Sequence, residues 1–243
     1  MPTYRCEKCH DTGWVSCEMA EGYTGVRMCE CQKAREAERR MRQSGLAEEI
    51  KSKTFGTFKA ETEWQRGMKE KAIAYGKAYF KAREKGEKLP WFFISGQPGC
   101  GKTHICTALC GAMLKKNVAV SYMQWVTESR RLRAIANEPD FDSMIAPYID
   151  VDVLYIDDLF KQPGHQEIHA TDAEGKVLFE ILNNRYIQNK ATIISTEWYL
   201  ETELMGLDDG TFSRVYERAK GYTVSIERSE DKNIRIAGIG GSA

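Results

Sequence analysis

The sequence has no long hydrophobic run. No window approaches the roughly eighteen consecutive apolar residues that a membrane-spanning helix requires. The N-terminus also lacks the charged-then-apolar order of a secretory signal peptide. The sequence therefore predicts a cytoplasmic protein that has no membrane partner.

The sequence also lacks an excess of either charge. Lysines and arginines number 35, and so do aspartates and glutamates. A formal net charge of zero gives no global attraction to nucleic acid, so a nucleic-acid partner would have to be bound by a local basic patch. Two arginine-rich segments, 32–41 and 127–136, are candidates for such a patch, although each is also explained as the solvated face of a helix.

Disulfides are not expected, because the cytoplasm keeps thiols reduced and favours metal ligation or burial for the eight cysteines. Five of them fall within the first 31 residues, which marks a separate module. A segment this short cannot build a core, so a metal is expected to stabilise it. Cys17 and His10 are alternative ligands, and free or redox-active thiols are the alternative to a metal. The pattern predicts a tetrahedral zinc site formed by Cys6, Cys9, Cys29 and Cys31.

The chain contains a P-loop. A short apolar run, Trp91 to Ser95, leads into the spacing G-x-x-x-x-G-K-T, and a helix pattern follows. Its glycines remove the Cβ obstruction, so successive backbone N–H groups can curl around phosphate oxygens. Lys102 is predicted to reach the β- and γ-phosphates and Thr103 to coordinate Mg²⁺, so ATP and Mg²⁺ are the expected cofactors. The predicted nucleotide-binding residues here are Gly96, Gln97, Pro98, Gly99, Cys100, Gly101, Lys102, Thr103 and His104.

An acidic strand end supports the same site. Residues 150–160 read DVDVLYIDDLF, an apolar strand that delivers Asp157 and Asp158 at its carboxyl end. In a parallel sheet the P-loop emerges at that edge, so Asp157 is predicted to bind the Mg²⁺ of the nucleotide. Asp158 is predicted to orient or deprotonate the attacking water. Two adjacent acids also occur as a turn or helix cap, but their position after a P-loop favours the catalytic interpretation.

The pattern divides the chain into four parts. Residues 1–45 are predicted to form the cysteine-rich zinc module with its basic helix, and residues 46–60 a linker and entry segment that leads into the next domain. Residues 61–236 are predicted to form the ATPase domain, and residues 237–243 a disordered tail. Strand and helix patterns alternate in the third part, which predicts an α/β fold with a parallel sheet between helices.

Three further features of the ATPase part carry expectations. No lid domain of three or four helices is expected after residue 226. The polar segment 161–171 is predicted to be a loop near the active site, and its two histidines, His165 and His169, are assigned to solvent rather than to a metal. Residues 232–236 are predicted to add an edge strand.

Four motifs in this order resemble the AAA+ ATPases of the bacterial and phage helicase-loader type, the DnaC/DnaI-like family. They are the P-loop, the IDD strand end, Ser195-Thr196-Glu197 and FSRVYERAKGY at 212–222. The CEKCHDTGW…CEC block and the SGL…KTFGTF segment also look like that family, so the resemblance spans nearly the whole chain. It implies an AAA+ fold and a protein that grips a hexameric replicative helicase through the N-terminal module. It also implies that ATP and single-stranded DNA are used to place the helicase on a template.

The resemblance implies roles for single residues as well. Thr196 takes the role of a sensor for the γ-phosphate. Arg214 takes that of an arginine finger, with Arg218, one helical turn further on, as the alternative. A finger completes the site of a neighbouring subunit, which implies self-assembly through the ATPase domains. Asp158 stands where many such enzymes have glutamate, and its shorter reach implies slow hydrolysis. The predicted catalytic residues are Lys102, Asp158, Thr196 and Arg214.

Three other functions fit parts of the pattern. A helper ATPase of transposition, IstB-like, shares the ATPase core and assembles on DNA, but such proteins usually begin with a helical domain rather than a cysteine module. A P-loop small-molecule kinase would work without a subunit interface. In a pure binding module, ATP would drive assembly with negligible hydrolysis, and the Asp157–Asp158 pair favours at least slow hydrolysis over that alternative.

Overall fold

The computed structural model describes residues 4–18, 23–32, 35–36, 39, 46–162 and 170–235. The predicted tail at 237–243, both histidines of the segment 161–171 and most of the basic segment 32–41 lie outside these ranges. Within them, no helix combines the length and the apolar character needed to span a bilayer.

The described strands form two sheets. A two-stranded antiparallel hairpin lies near the N-terminus, and a five-stranded parallel sheet follows. The strands are β1 (Trp14–Glu18), β2 (Thr24–Met28), β3 (Phe92–Gly96), β4 (Val120–Gln124), β5 (Val153–Leu159), β6 (Ala191–Thr196) and β7 (Thr223–Ile226). The order in the parallel sheet is β4-β5-β6-β3-β7, so β3 lies between β6 and β7. The predicted parallel α/β architecture is confirmed.

Helices surround this sheet in the described ranges. They are α1 (Leu46–Ser52), α2 (Glu63–Lys85), α3 (Lys102–Leu114), α4 (Trp125–Ala134), α5 (Phe141–Ile149), α6 (Asp172–Ile187), α7 (Met205–Leu207) and α8 (Asp209–Ala219). A π-helical turn, Leu200–Leu204, precedes α7, and a 3₁₀ turn, Glu230–Lys232, follows β7.

The core lies on both faces of the parallel sheet. Phe92 and Ile94 of β3 point into one buried cluster, whereas Phe93 points into the other. Every residue of β3 and of β6 is buried. A strand covered on both faces reads as a continuous apolar run rather than an alternating one, which is why these strands stand out in the sequence. Burying each large apolar side chain stabilises the fold by about 1.5–3 kcal/mol.

Helix α2 illustrates how local signals set the element boundaries. Gln65 Oε1 accepts a hydrogen bond from the backbone N–H of Thr62 at 2.8 Å and so satisfies a donor at the helix N-terminus. Gly86 ends the helix in the left-handed conformation, with φ of 66°. Tyr75 and Tyr79, four residues apart, are buried against the sheet, as the spacing predicts.

A fully buried arginine connects α5 and α6 to the sheet. Arg185 on α6 donates hydrogen bonds to the carbonyl oxygens of Tyr148 at 2.7 Å and of Ile149 and Val151 at 3.0 Å, and to Thr192 Oγ1 at 3.1 Å. Burial lowers the pKa of Arg185 to about 9, so the guanidinium stays protonated at neutral pH. It therefore satisfies carbonyl groups where α5 ends and β5 is about to begin.

Two segments differ from expectation. Residues 46–60, predicted to be a linker, include α1 and pack on the ATPase core: Leu46 and Phe58 are buried there. Residues 232–235, part of the predicted edge strand, instead continue from the 3₁₀ turn into a further turn. Helix α5 was not predicted, because it is short and contains Pro147, which is normally a helix breaker.

Candidate nucleotide-binding site

The P-loop joins the carboxyl end of β3 to the N-terminus of α3. Gly96, Gly99 and Gly101 have φ values of 150°, 80° and 93°, a range that favours glycine. A Cβ at Gly96 would lie 2.8 Å from the Ile226 Cβ, and one at Gly101 would lie 3.0 Å from the Phe58 ring. The glycines are thus needed for backbone conformation and for close packing. The helix N-terminus adds partial positive charge to the loop mouth.

Lys102 lies at the centre of this loop. Its ammonium donates to the carbonyl oxygens of Gly96 at 2.5 Å and of Gln97 at 3.0 Å, and the residue is only 5% exposed. A cation held inside the loop curvature is available to phosphate oxygens that enter the same space.

Asp157 is surrounded by hydroxyl groups. It accepts hydrogen bonds from Tyr155 at 2.6 Å, Tyr122 at 3.0 Å and Ser195 at 2.5 Å. Burial is the larger cause and the nearby charge of Asp157 the next, and together they raise the pKa of both tyrosines. Both side chains therefore remain protonated donors. The Thr103 hydroxyl lies 3.5 Å from the same carboxylate. A hydroxyl and a carboxylate facing each other are ligands of the kind that Mg²⁺ takes in nucleotide sites, directly or through water.

Asp158 is held by a lysine that the sequence analysis missed. Its backbone has φ of 55°. Its carboxylate accepts from Lys161 Nζ at 2.9 Å, and Glu197 lies 3.1 Å from the same ammonium. Burial opposes the charge of Lys161, but its contacts with Asp158 and Glu197 outweigh this effect and raise its pKa. In this conformation the Lys161 ammonium therefore balances the negative charge of the predicted catalytic acid.

Ser195, which belongs to the Ser195-Thr196-Glu197 motif but received no predicted role of its own, connects the two acids. Its hydroxyl donates to Asp157 and accepts from the backbone N–H of Asp158 at 3.2 Å. Thr196, the predicted sensor, is fully buried, and its hydroxyl donates to the Leu159 carbonyl at 2.8 Å. Side chains alternate along a strand, which places one residue of this pair beside the acids and turns the other away. The sensor role of Thr196 stays a prediction.

The two candidate finger arginines have different surroundings. Arg218 is buried and donates to Asn189 Oδ1 and to the Tyr186 carbonyl, both at 2.9 Å. These contacts fix it inside its own subunit. Arg214 is half-buried on α8, with its guanidinium carbon 5.9 Å from the ring centroids of Phe179 and Tyr186. It does not line the P-loop cavity. The finger role of Arg214 stays a prediction.

A cavity of about 410 Å³ opens beside the P-loop. Lys102, Thr103 and Asp158 line it, together with Phe58 and His104, whose rings are 5.2 Å apart. Phe58 therefore places an aromatic ring at the wall of this cavity. The P-loop thiol of Cys100 is buried, and burial raises its pKa, so it remains protonated.

The cysteine module places four sulfur atoms together. The Sγ atoms of Cys6, Cys9, Cys29 and Cys31 all lie within 4.8 Å of one another. The separations between Cys6 and Cys29, 3.8 Å, and between Cys9 and Cys31, 3.5 Å, approach the ~3.8 Å that Zn–S bonds of about 2.3 Å give in a tetrahedron. The donor set therefore fits zinc.

The alternative ligands lie outside this cluster. Cys17 belongs to β1 and does not join the four sulfurs. His10 is exposed and packs against Tyr4, with 4.7 Å between the ring centroids. The hairpin itself was not predicted; its Val15 packs on the cysteines, whereas Trp14, Val26 and Met28 are more than half exposed.

The P-loop, the acidic strand end and the parallel sheet together define a protein with a P-loop nucleotide-binding fold. A profile of the IstB-like ATP binding proteins matches residues 29–214. That match covers more than half of the chain, and the chain belongs to this family.

Two relatives come from Bacillus subtilis (strain 168). YqaM, described as an uncharacterized protein, is 32% identical over 206 residues, which cover 84% of this chain and 64% of YqaM. The chain thus spans less than two thirds of that relative. XkdC, a protein of the phage-like element PBSX, is 29% identical, with 97% of this chain and 88% of XkdC covered.

Solved structures share the fold. The crystal structure of the DnaC helicase loader has a TM-score of 0.59 and 19% identity, covering 73% of this chain and 98% of that one. The crystal structure of DnaI has a TM-score of 0.58 and 19% identity, covering 75% of this chain and 94% of that one. DnaA from Aquifex aeolicus bound to AMPPCP has a TM-score of 0.57 and 21% identity, covering 76% of this chain and 52% of that one. The predicted AAA+ fold is confirmed.

Proposed function

We propose that this protein is an ATP-dependent loader that binds a hexameric replicative DNA helicase and places it on single-stranded DNA in the cytoplasm. The observation that carries the proposal is the joining of a P-loop site to a four-cysteine module on a fold shared with DnaC and DnaI. Fold likeness at this identity identifies the architecture, so the partner is the step that needs a test.

In the proposed reaction the chain binds ATP through the P-loop. Backbone N–H groups of the loop and the Lys102 ammonium would hold the phosphates, and Thr103 and Asp157 would hold Mg²⁺, whose charge would stabilise the phosphoryl oxygens. Asp158 orients the attacking water. That role requires Lys161 to release the Asp158 carboxylate, so we infer slow basal hydrolysis that assembly or DNA accelerates.

The four-cysteine module is the part that we propose contacts the helicase. Zinc held by Cys6, Cys9, Cys29 and Cys31 would fix the hairpin relative to the two segments that carry these cysteines. The exposed side chains of Trp14, Val26 and Met28 on the hairpin then form a rigid apolar surface of the kind that protein partners cover.

One family observation favours a second function. The IstB-like profile match supports a helper ATPase of transposition that assembles on DNA without a helicase. Both functions use the same ATP site, and they differ in the partner.

The test is mass determination by light scattering of the protein mixed with a purified replicative helicase hexamer, with and without ATP. The variant is Cys6→Ser/Cys9→Ser, which removes two sulfurs of the cluster. Cys17→Ser is the matched control, because Cys17 lies on the same module outside the cluster.

The two functions predict different results. A discrete complex that the control forms and the double variant does not form supports the loader and assigns the contact to the cysteine module. Absence of a complex under every nucleotide condition, with ATP-dependent self-assembly on DNA instead, contradicts the loader and favours the transposition helper.

A further inference from the structure

The segment that follows β7 lies directly on the P-loop. Gln97 Nε2 donates to the Ser229 carbonyl oxygen at 2.7 Å, and Gln97 Oε1 accepts from the Ser229 backbone N–H at 2.7 Å. Further along, the backbone N–H of Ile234 donates to the Gly99 carbonyl oxygen at 3.0 Å. Residues 229–235, here called the strap, are thus joined to the loop at both ends.

The strap also fits the loop sterically. A Cβ at Gly99 would lie 2.0 Å from Asn233 Oδ1, so the loop glycine leaves the space that the Asn233 side chain fills. The same Oδ1 accepts from the backbone N–H of Arg235 at 3.2 Å. One side chain therefore rests on the P-loop and fixes the start of the Arg235 backbone.

Arg235 brings a cation to the nucleotide cavity. It lines the cavity together with Lys102, Thr103 and Lys161. Among the residues that the structure describes, no carboxylate forms an ion pair with Arg235. A planar guanidinium can form paired hydrogen bonds with phosphate oxygens, so an arginine without an acidic partner beside a P-loop suits a phosphate ligand.

We propose that the strap completes the nucleotide site in cis and that Arg235 binds the phosphates of the nucleotide. This inference rests on the proposed ATP binding and adds a residue to it from outside the P-loop and the acidic end of β5. The strap takes its position from β7, whose Ile226 already packs against Gly96. The described part of the chain has no multi-helix lid after β7. The strap can still cover bound phosphates on the side of the P-loop that faces β7.

The first test compares Arg235→Ala with Lys232→Ala by calorimetric titration with Mg·ATP and with adenosine. Lys232 is the matched control, because it lies on the strap and carries the same charge without lining the cavity. We expect Arg235→Ala to weaken ATP binding about tenfold, the size of one charge-assisted hydrogen bond. Adenosine binding should not change, and Arg235→Lys should recover part of the loss.

The second test measures the contact between the strap and the P-loop directly and does not depend on ATP hydrolysis. Hydrogen–deuterium exchange at the Ile234 amide reports its bond to the Gly99 carbonyl. We expect slower exchange of this amide when ATP is bound. Gln97→Ala removes both contacts with Ser229 and should make the exchange faster in the free protein.

The outcomes separate this inference from the proposed function. If Lys102→Ala loses ATP binding while Arg235→Ala binds as wild type does, the strap inference is wrong and the ATP site stands. Equal losses in Arg235→Ala and Lys232→Ala would show a general charge effect and would also overturn it. If the wild-type protein binds no ATP, both the inference and the proposed function fail.

Discussion

At the residue scale, Lys161 pairs with the predicted catalytic acid, Asp158. Replacing it with alanine removes the ammonium that pairs with Asp158 and Glu197. The pair is partly exposed and worth up to about 1 kcal/mol, so freeing the carboxylate should raise the basal rate of ATP hydrolysis up to about fivefold. The pKa of Lys161 is raised, so its ammonium is charged at neutral pH and loses its proton, and with it the pair, when pH rises above the usual lysine range. Steady-state phosphate release measures the effect.

The control for this prediction is Lys161→Arg, which keeps a cation beside both acids and should keep the wild-type rate. A lower rate in Lys161→Ala would contradict the prediction. It would mean that the ammonium assists the transferring phosphoryl group instead of restraining Asp158.

Single residues also mark the limit of sequence reasoning. The P-loop spacing and the paired acids were readable because phosphate and Mg²⁺ binding impose fixed residue types at fixed positions. The role of Ser195 was not readable, because it depends on a contact with Asp157 on the neighbouring strand β5. Lys161 lies only three residues after Asp158, but its position between Asp158 and Glu197 depends on β5 and β6 lying side by side. The alternation of side chains along a strand was the available signal for Ser195. Ser195 and Thr196 must face opposite sides of the sheet, so only one of them can lie beside the acids.

At the element scale, Arg185 holds α5, α6 and the sheet together. Arg185→Ala would leave several buried carbonyl groups without a donor, because Tyr148, Ile149 and Val151 all accept from this guanidinium. We expect a loss of about 3–5 kcal/mol in the free energy of unfolding, measured by urea denaturation. Arg133→Ala, on a side chain about 30% exposed, should lose less than about 1 kcal/mol. Equal losses would contradict a special role for Arg185.

Elements were predicted to different degrees. The strands β3, β5 and β6 were clear because burial on both faces demands continuous apolar runs. Helix α5 was missed, because its internal proline argues against a helix and its support comes from Arg185 on another element. The strap was missed for the same physical reason: its position depends on pairing with the P-loop, more than a hundred residues earlier in the chain.

At the scale of the whole molecule, two features bear on assembly. Arg214 lies outside the P-loop cavity, beside the exposed ring of Phe179. Arg218, the alternative finger, is occupied by contacts with Asn189 and Tyr186. If an arginine of α8 acts on ATP, the geometry therefore favours Arg214 acting on the site of a second copy.

Mixing two inactive variants tests that arrangement. Arg214→Ala keeps an intact P-loop and both acids but lacks the finger, and Asp158→Asn keeps the finger but lacks the acid. Each alone should hydrolyse ATP at least about 100-fold more slowly than wild type, since a finger contributes about 10³–10⁵ where it acts. In a mixture, the intact site of one variant meets Arg214 of the other, so phosphate release should recover in proportion to mixed interfaces and fall on dilution. Full activity of dilute Arg214→Ala alone would contradict a finger in trans and would favour the small-molecule kinase, which needs no subunit interface.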